Sequence, residues 1–293
     1  MMNAKEFHAS RKFAELSYGR IAYVERGHGP AAVFLHGYPL NGFQWRGALE
    51  RLSKYRRCIA PDFMGLGYTE TAEGQSLGPE AQADMLAALF TALKIDAADI
   101  VANDSGGGVA QLFAARHSAH VRTLLLTNCD VDENSPPPSF KPFLEAARTG
   151  ALAEGLAHQF ADKALARAPQ GLGIAYTDPA NLSDEAIDYY LGPLVSSAAR
   201  KAQCNEYAVA LGENHLVAIQ PELKRCAAPA RIVWGTGDVF FEVSWADWLD
   251  RTLPKSRGVR RVEGAKLFFP EEMPDVIAEE AIGLWRVARG HVA

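Results

Sequence analysis

The stretch Val-Ala-Asn-Asp-Ser-Gly-Gly-Gly, residues 101–108, joins a short apolar run to a helical pattern and decides the fold. A sharp turn that lifts a reactive side chain out of a strand and into a helix needs small residues two positions before and two positions after it. Ala102 and Gly106 occupy those positions if Asp104 is at the tip of the turn. The stretch therefore predicts a strand, a tight turn that exposes Asp104, and a helix whose free N–H groups favour negative charge there.

Short apolar runs, typical of strands buried on both faces, recur before and after this turn. They are Ala31–Leu35, Ile59–Ala60, Ile100–Ala102, Leu124–Leu126 and Ile232–Trp234. Phe13–Ser17 and Ile21–Val24 alternate like a pair of strands, and apolar residues at helical spacing fill the gaps between runs. This alternation predicts an α/β fold with a mostly parallel central sheet and helices on both faces.

The strand pattern lapses between residues 132 and 224, which begin near Ser135-Pro-Pro-Pro-Ser and contain helical pieces such as Phe143–Arg148 and Asp184–Tyr190. We interpret residues 132–224, called the lid segment below, as a helical insertion, or cap. Residues 1–131 and 225–293 then form the core.

The composition argues against several classes of partner. The 293 residues carry a net charge of −5, and their lysines and arginines are scattered, which argues against nucleic acid or a membrane surface as a partner. Four widely spaced cysteines indicate reduced, buried thiols. No signal peptide or membrane-spanning run is visible, and the sequence predicts a cytoplasmic protein without a metal or cofactor.

Several motifs match those of one family. His36-Gly-Tyr-Pro39, Asp62–Thr69, Arg116-His117 and Trp234-Gly-Thr-Gly-Asp238 resemble the oxyanion loop, the Gly-x-Gly-x-Ser/Thr turn, the Arg-His pair and the acid segment of α/β hydrolases. Asp104 resembles the nucleophile of the epoxide hydrolase and haloalkane dehalogenase branch. The resemblance covers nearly all of the chain outside the lid segment.

The resemblance implies a role for each matching residue. Asp104 would be the nucleophile, Asp238 the acid that orients the base, and the backbone N–H groups of Tyr38 and Ser105 the oxyanion hole. Asp130 and Asp132 are alternative acids. Two further interpretations stay open: Asp104 could cap the helix beside a nucleophilic Ser105, and Asp238 could be a surface residue in a glycine-rich turn.

The catalytic histidine of these relatives has no counterpart. Gly264–Pro274 aligns without a gap, and Leu267 stands where histidine belongs. Leucine transfers no proton, so an ester formed on Asp104 should persist unless another base hydrolyses it. His215 is the better candidate of the two lid histidines, although a surface role suits it too, and Lys266 could instead pair with Asp238. The other histidines outside the oxyanion loop are His8, His28, His117, His120, His158 and His291.

The substrate is expected to be a small, mostly apolar molecule. Dehalogenases follow the nucleophile with a halide-binding tryptophan, and Ser105 at that position makes dehalogenation doubtful. Epoxide hydrolases use lid tyrosines to protonate the epoxide. The sequence of His36–Pro39 favours an epoxide hydrolase over a dehalogenase. The lid tyrosines are Tyr176, Tyr189, Tyr190 and Tyr207. The leading hypothesis is a hydrolase with a non-standard or missing base, and the alternatives are a non-hydrolytic ligand-binding protein and a serine hydrolase using Ser105.

Overall fold

A nine-stranded sheet forms the centre of the computed structural model, which describes residues 2–289. The strands are β1 Arg11–Leu16, β2 Gly19–Arg26, β3 Ala31–Leu35, β4 Arg57–Pro61, β5 Glu70–Thr71, β6 Ala98–Asp104, β7 Val121–Cys129, β8 Ala230–Gly235 and β9 Ser256–Val262. Their order is β1-β2-β4-β3-β6-β7-β8-β9, and β5 pairs with β2. Neighbouring strands in the part β4-β3-β6-β7-β8-β9 of this order are all parallel. Strand β2 is antiparallel to β1, β4 and β5. The mostly parallel sheet predicted from the sequence is confirmed.

Thirteen α-helices lie within the described part of the chain. They are α1 Ala4–Ala9, α2 Arg46–Leu52, α3 Pro79–Ala92, α4 Ser105–Arg116, α5 Lys141–Arg148, α6 Ala151–Ala161, α7 Lys163–Arg167, α8 Asp184–Val195, α9 Ala198–Ala210, α10 Gln220–Leu223, α11 Val243–Thr252, α12 Phe269–Glu272 and α13 Pro274–Arg289. Helix α2 packs against α13, and α3 against α4. Helices cover both faces of the sheet, as predicted.

The central strands form because they are buried on both faces. Every residue of β3 and of β6 is buried, which explains why β3 and the Ile100–Ala102 part of β6 are continuous apolar runs rather than alternating ones. Parallel strands place their carboxyl ends at one edge of the sheet. The residues that follow β3, β6 and β7 therefore meet there, which is where open α/β sheets bind ligands.

Strand β9 was not predicted. Three of its seven residues, Ser-Arg-Gly-Val-Arg-Arg-Val, are arginines, and none is fully buried, because β9 lies at one edge of the sheet. An edge strand keeps one side open to solvent and tolerates charge. The four cysteines are buried and unpaired, as expected.

The lid segment contains helices α5–α10 and contributes no strand to the sheet. Its residues face the carboxyl ends of β3, β6 and β7 across a cavity described below. The exact division of the chain into core and cap stays a prediction. No helix among residues 2–289 combines the length and apolar character that crossing a bilayer requires.

Candidate active site

Asp104 occupies the turn between β6 and α4. Its backbone has φ 56° and ψ −135°, a conformation that non-glycine residues rarely adopt and that is typical of functional turns. Gly106 permits this turn because a Cβ there would lie 2.4 Å from the His36 carbonyl oxygen. The small residue predicted two positions after Asp104 is therefore a steric requirement.

Two backbone N–H groups hold the Asp104 carboxylate. The Tyr38 N–H donates to Oδ2 at 2.8 Å, and the Ser105 N–H forms a second hydrogen bond. Burial raises the pKa of Asp104 well above its ordinary value, and the neighbouring Asp130 raises it further, while the two N–H groups oppose the shift. The two backbone N–H groups predicted to form an oxyanion hole thus both donate to the Asp104 carboxylate.

The Ser105 side chain has a different environment. Its hydroxyl is buried and no base lies within hydrogen-bond distance to activate it as a nucleophile. Burial raises the pKa of the Tyr207 hydroxyl and a hydrogen bond with the Ser105 hydroxyl opposes that shift, although the geometry between the two hydroxyls is poor.

Asp238 lies in the loop after β8, held by amide groups. Asn128 Nδ2 donates to Oδ2 at 2.8 Å, and the Phe240 N–H donates to Oδ1 at 2.9 Å. Burial raises the pKa of Asp238 to about 6, against the effect of these donors. The predicted alternative ion pair between Lys266 and Asp238 does not form, because amides satisfy the carboxylate.

Leu267 lies beside the Asp104 turn. Asn103 Nδ2 donates to the Leu267 carbonyl at 3.0 Å, which joins the loop before α12 to the end of β6. The Leu267 side chain is buried and lines the same cavity as Asp104. An apolar side chain thus occupies the wall next to the carboxylate.

The candidate replacement bases lie elsewhere. His215, at the end of the lid segment, is 3.8 Å from a Glu80 oxygen and 3.9 Å from a Glu213 oxygen, and it does not line the cavity. His36 is buried with both ring nitrogens engaged: Nε2 accepts from the Phe63 N–H, which places the proton on Nδ1, facing the Gly37 carbonyl. These contacts leave neither histidine free to act as the base.

The remaining histidines are also remote from the site or exposed. His117 ends α4, a 12-residue helix that begins at the site and is about 18 Å long, and His120 follows it. His8, His28 and His158 are exposed, and His291 lies outside the described residues.

The cavity measures about 100 Å³ and lies between the strand ends and the lid segment. Its polar end carries Asp104, Ser105 and Asp130, and its walls are mostly aromatic and aliphatic. No histidine, lysine or arginine from residues 2–289 lines it. Burial raises the pKa of Asp130 to about 7 although a hydrogen bond from Ser135 opposes the shift. Asp132, the other alternative acid, instead accepts from Gln220 at 3.5 Å and lies outside the lining.

Three of the four lid tyrosines have other partners. The Tyr176 hydroxyl donates to Glu271 at 2.6 Å, Tyr190 accepts from Arg46, and Tyr189 accepts from Arg11. The Tyr207 hydroxyl, alone of these four, has no hydrogen bond of good geometry, and its polar neighbour is the Ser105 hydroxyl.

Two supporting residues were missed by sequence reasoning. Asn128 holds Asp238 and also accepts from the Gly235 N–H at 2.7 Å, while Asn103 bridges β7 and the Leu267 loop. Both are asparagines at the carboxyl ends of apolar strands. A polar residue at the end of a buried strand could have indicated such a supporting role. The hydrogen-bond partners of these asparagines are distant in sequence and could not be predicted.

Comparisons with known proteins agree with this architecture. Residues 30–272 match the family model of the alpha/beta hydrolase fold. A 2-hydroxy-6-oxo-2,4-heptadienoate hydrolase of Pseudomonas putida is 40% identical over 82 residues, which cover 28% of this chain and 30% of that protein. Haloalkane dehalogenase 2 of Mycobacterium tuberculosis is 26% identical over 292 aligned positions, covering 92% of this chain and 93% of that protein. A haloalkane dehalogenase loop variant from Bradyrhizobium elkanii superimposes with a TM-score of 0.79 at 22% identity, over 97% of this chain and 99% of that one.

Proposed function

The chain belongs to the α/β hydrolase fold family, and within it we propose a hydrolase-type protein whose Asp104 attacks a small, mostly apolar electrophile and forms an ester. The candidate electrophiles are epoxides and alkyl halides, the substrate types of the branch that the sequence resembles. The observation that carries the proposal is the position of the Asp104 carboxylate. It faces an apolar cavity while the Tyr38 N–H holds its Oδ2 at 2.8 Å.

The first step needs only groups that the site contains. The free Asp104 oxygen attacks carbon, a C–O bond forms, and the bond from that carbon to halide or to the epoxide oxygen breaks with its electron pair. Halide leaves as an anion, whereas an epoxide oxygen must take up a proton. Our candidate for that proton is Tyr207, whose hydroxyl lies behind the cavity lining beside the Ser105 hydroxyl, so that the proton would reach the epoxide oxygen by way of Ser105.

The second step lacks a base. Hydrolysis of the ester needs a water molecule that loses a proton as it attacks the carbonyl carbon. The backbone N–H groups of Tyr38 and Ser105 would stabilise the resulting oxyanion, but Leu267 cannot accept the proton. We therefore expect the ester to accumulate.

Intact-mass spectrometry tests this expectation. After incubation with a panel of small epoxides and alkyl halides, we expect a stable adduct, with free product at no more than one equivalent per chain. An alkyl halide should add the mass of its alkyl group less one hydrogen, and an epoxide should add its whole mass. Peptide mapping should place the adduct on Asp104, Asp104→Asn should abolish it, and Ser105→Ala should retain it.

Leu267→His extends the test to the second step. A correctly oriented histidine should release the ester and raise turnover by up to about 10²–10⁴-fold, the contribution of a positioned general base. Efficient turnover by the natural chain without a trapped adduct would mean that another base operates. An adduct on Ser105 that Ser105→Ala removes would favour a serine hydrolase instead.

The same absence of a base favours a second candidate, a non-hydrolytic ligand-binding protein. It predicts reversible binding in this cavity with neither adduct nor turnover on the same panel. Equilibrium dialysis alongside mass spectrometry separates the two candidates.

A further inference from the structure

The polar end of the cavity carries two carboxyl groups and no positively charged side chain. The Asp104 and Asp130 side chains both line it, with only 9% and 8% of each residue exposed. Neither carboxylate forms an ion pair with any lysine, arginine or histidine among residues 2–289. Buried carboxyls without a counter-charge keep their protons to higher pH, as the raised pKa values of Asp104 and Asp130 indicate, and a positive group supplied from outside the chain would stabilise their ionised forms here.

Ser105 gives an independent indication of a ligand. Its hydroxyl belongs to a residue that is 3% exposed and lies at the same end of the cavity, and its one polar neighbour is the Tyr207 hydroxyl, with which it makes no hydrogen bond of good geometry. A buried hydroxyl without a partner costs free energy, and such groups in native structures are normally satisfied by a ligand or by water. Its two lone pairs can accept a hydrogen bond, as the carboxylates can.

The walls of the cavity suit a cation on an apolar body. Five phenylalanine rings line it, and faces of aromatic rings attract ammonium groups. They are Phe140, Phe143, Phe240, Phe241 and Phe268. The lining includes no positively charged side chain from the described residues that would repel such a ligand.

We propose that this cavity binds the protonated amine of a small, otherwise apolar molecule, with its ammonium group between Asp104, Asp130 and the Ser105 hydroxyl. The inference deepens the proposed function by naming a charged group on the substrate, and it rests on that function only in using the same cavity. No group of three or more histidines, cysteines or carboxylates in residues 2–289 is arranged to ligate a metal ion, which favours an organic cation.

Three matched probes test the proposal: benzylamine, benzyl alcohol and benzoate, which share a ring and differ in charge. Their dissociation constants are measured by titration calorimetry on the intact natural chain at about pH 8, above the pKa of about 7 to which burial raises Asp130. Benzylamine should bind at least about tenfold more tightly than benzyl alcohol, a factor that corresponds to about 1.4 kcal/mol. Benzoate should not bind measurably, because its carboxylate would face two others.

Variants identify the group responsible. Asp130→Asn should reduce the preference for benzylamine over benzyl alcohol to less than about threefold. Asp132→Asn makes the same chemical change two residues along the chain and outside the lining, and it should leave the preference unchanged. Circular dichroism establishes that both variants are folded.

Equal affinity for benzylamine and benzyl alcohol in the natural chain would overturn the proposal without reference to any variant. A preference that survives Asp130→Asn would overturn it as well. Neither result depends on adduct formation, because these probes contain no electrophilic carbon with a leaving group. The amine proposal and the nucleophile proposal can therefore fail separately.

Discussion

Gly37 leaves the space that the Asp104 carboxylate fills. A Cβ at position 37 would lie 2.2 Å from Asp104 Oδ2, so any side chain there must displace the carboxylate. Gly37→Ala should move Asp104 away from the Tyr38 N–H and slow adduct formation by about 10²–10³-fold, as the loss of one oxyanion-hole donor does. The rate is followed by intact-mass spectrometry against time.

Gly155→Ala is the matched control, because a Cβ at position 155 in α6 meets no atom within 4 Å. It should leave the rate of adduct formation unchanged. A Gly37→Ala variant that is alkylated as fast as the natural chain would show that the position of Asp104 does not govern the reaction.

At the residue scale the sequence predicted what is local. The spacing of small residues around Asp104 was sufficient to place its side chain on the Tyr38 N–H. The alternative pairing of Lys266 with Asp238 does not form, because Asp238 accepts from the nearby Phe240 N–H and from Asn128, which is 110 positions away. Local patterns contain no information about such a contact.

At the scale of elements, Glu271 joins three parts of the chain. It lies in α12, accepts from Arg46 of α2 at 2.6 Å, and accepts from Tyr176 of the lid segment at 2.6 Å. The Arg46 and Glu271 side chains are only 11% and 3% exposed. Removing one partner of a buried ion pair leaves the other charge uncompensated, so Glu271→Ala should lower the free energy of unfolding by about 3–5 kcal/mol.

Urea denaturation measures this loss, with Glu279→Ala as the control. Glu279 pairs with Arg260 at 2.7 Å, but its side chain is 69% exposed, so its removal should cost less than about 1 kcal/mol. Equal losses in both variants would mean that the buried pair does not hold α12 to its neighbours.

Elements with a clear apolar period were predicted, and those without one were not. Apolar residues at helical spacing correctly predicted α3, α4 and α13. Short apolar runs correctly predicted β3 and β6. Strand β9 was not predicted because its arginines interrupt the apolar alternation that is typical of a strand. Its extended conformation comes from pairing with β8.

For the whole molecule, the buried carboxyls make stability depend on pH. The pKa of Asp130 is about 7 in the folded chain, above its ordinary value near 4, so the unfolded chain gives up this proton more readily. This group therefore destabilises the fold progressively as pH rises from about 4 to about 7, and by a constant amount above that.

Asp130→Asn removes the ionisation and should stabilise the folded chain at about pH 8 by roughly 1–4 kcal/mol, with little effect near pH 4. Urea denaturation of both chains across this range gives the difference at each pH. Taking the difference cancels shared groups that do not interact with Asp130, including Glu25 and Glu280, whose arginine partners lower their pKa values against the effect of burial. Asp104 does not cancel, because Asp130 raises its pKa, and the loss of that effect stabilises the variant in the same direction. A difference that does not vary with pH would show that Asp130 ionises normally in the fold.

The fold class was predictable for the whole molecule because it depends on the order of strands and helices, which the sequence displays directly. A cavity beneath the lid segment was predictable too, but its volume and its acidic end were not, because they arise where β6, β7 and the lid segment meet. Those segments are far apart in the sequence.

The hydrogen bond from Asn103 to the Leu267 carbonyl has a consequence for how such a chain evolves. That bond ties the loop to the sheet through a main-chain atom, which every amino acid supplies. The Leu267 side chain itself is packed in the hydrophobic core and lines the cavity. The tie between loop and sheet therefore survives substitution at position 267, and a lineage can gain or lose a proton-transferring group there by single substitutions at the cost of the packing of one buried side chain.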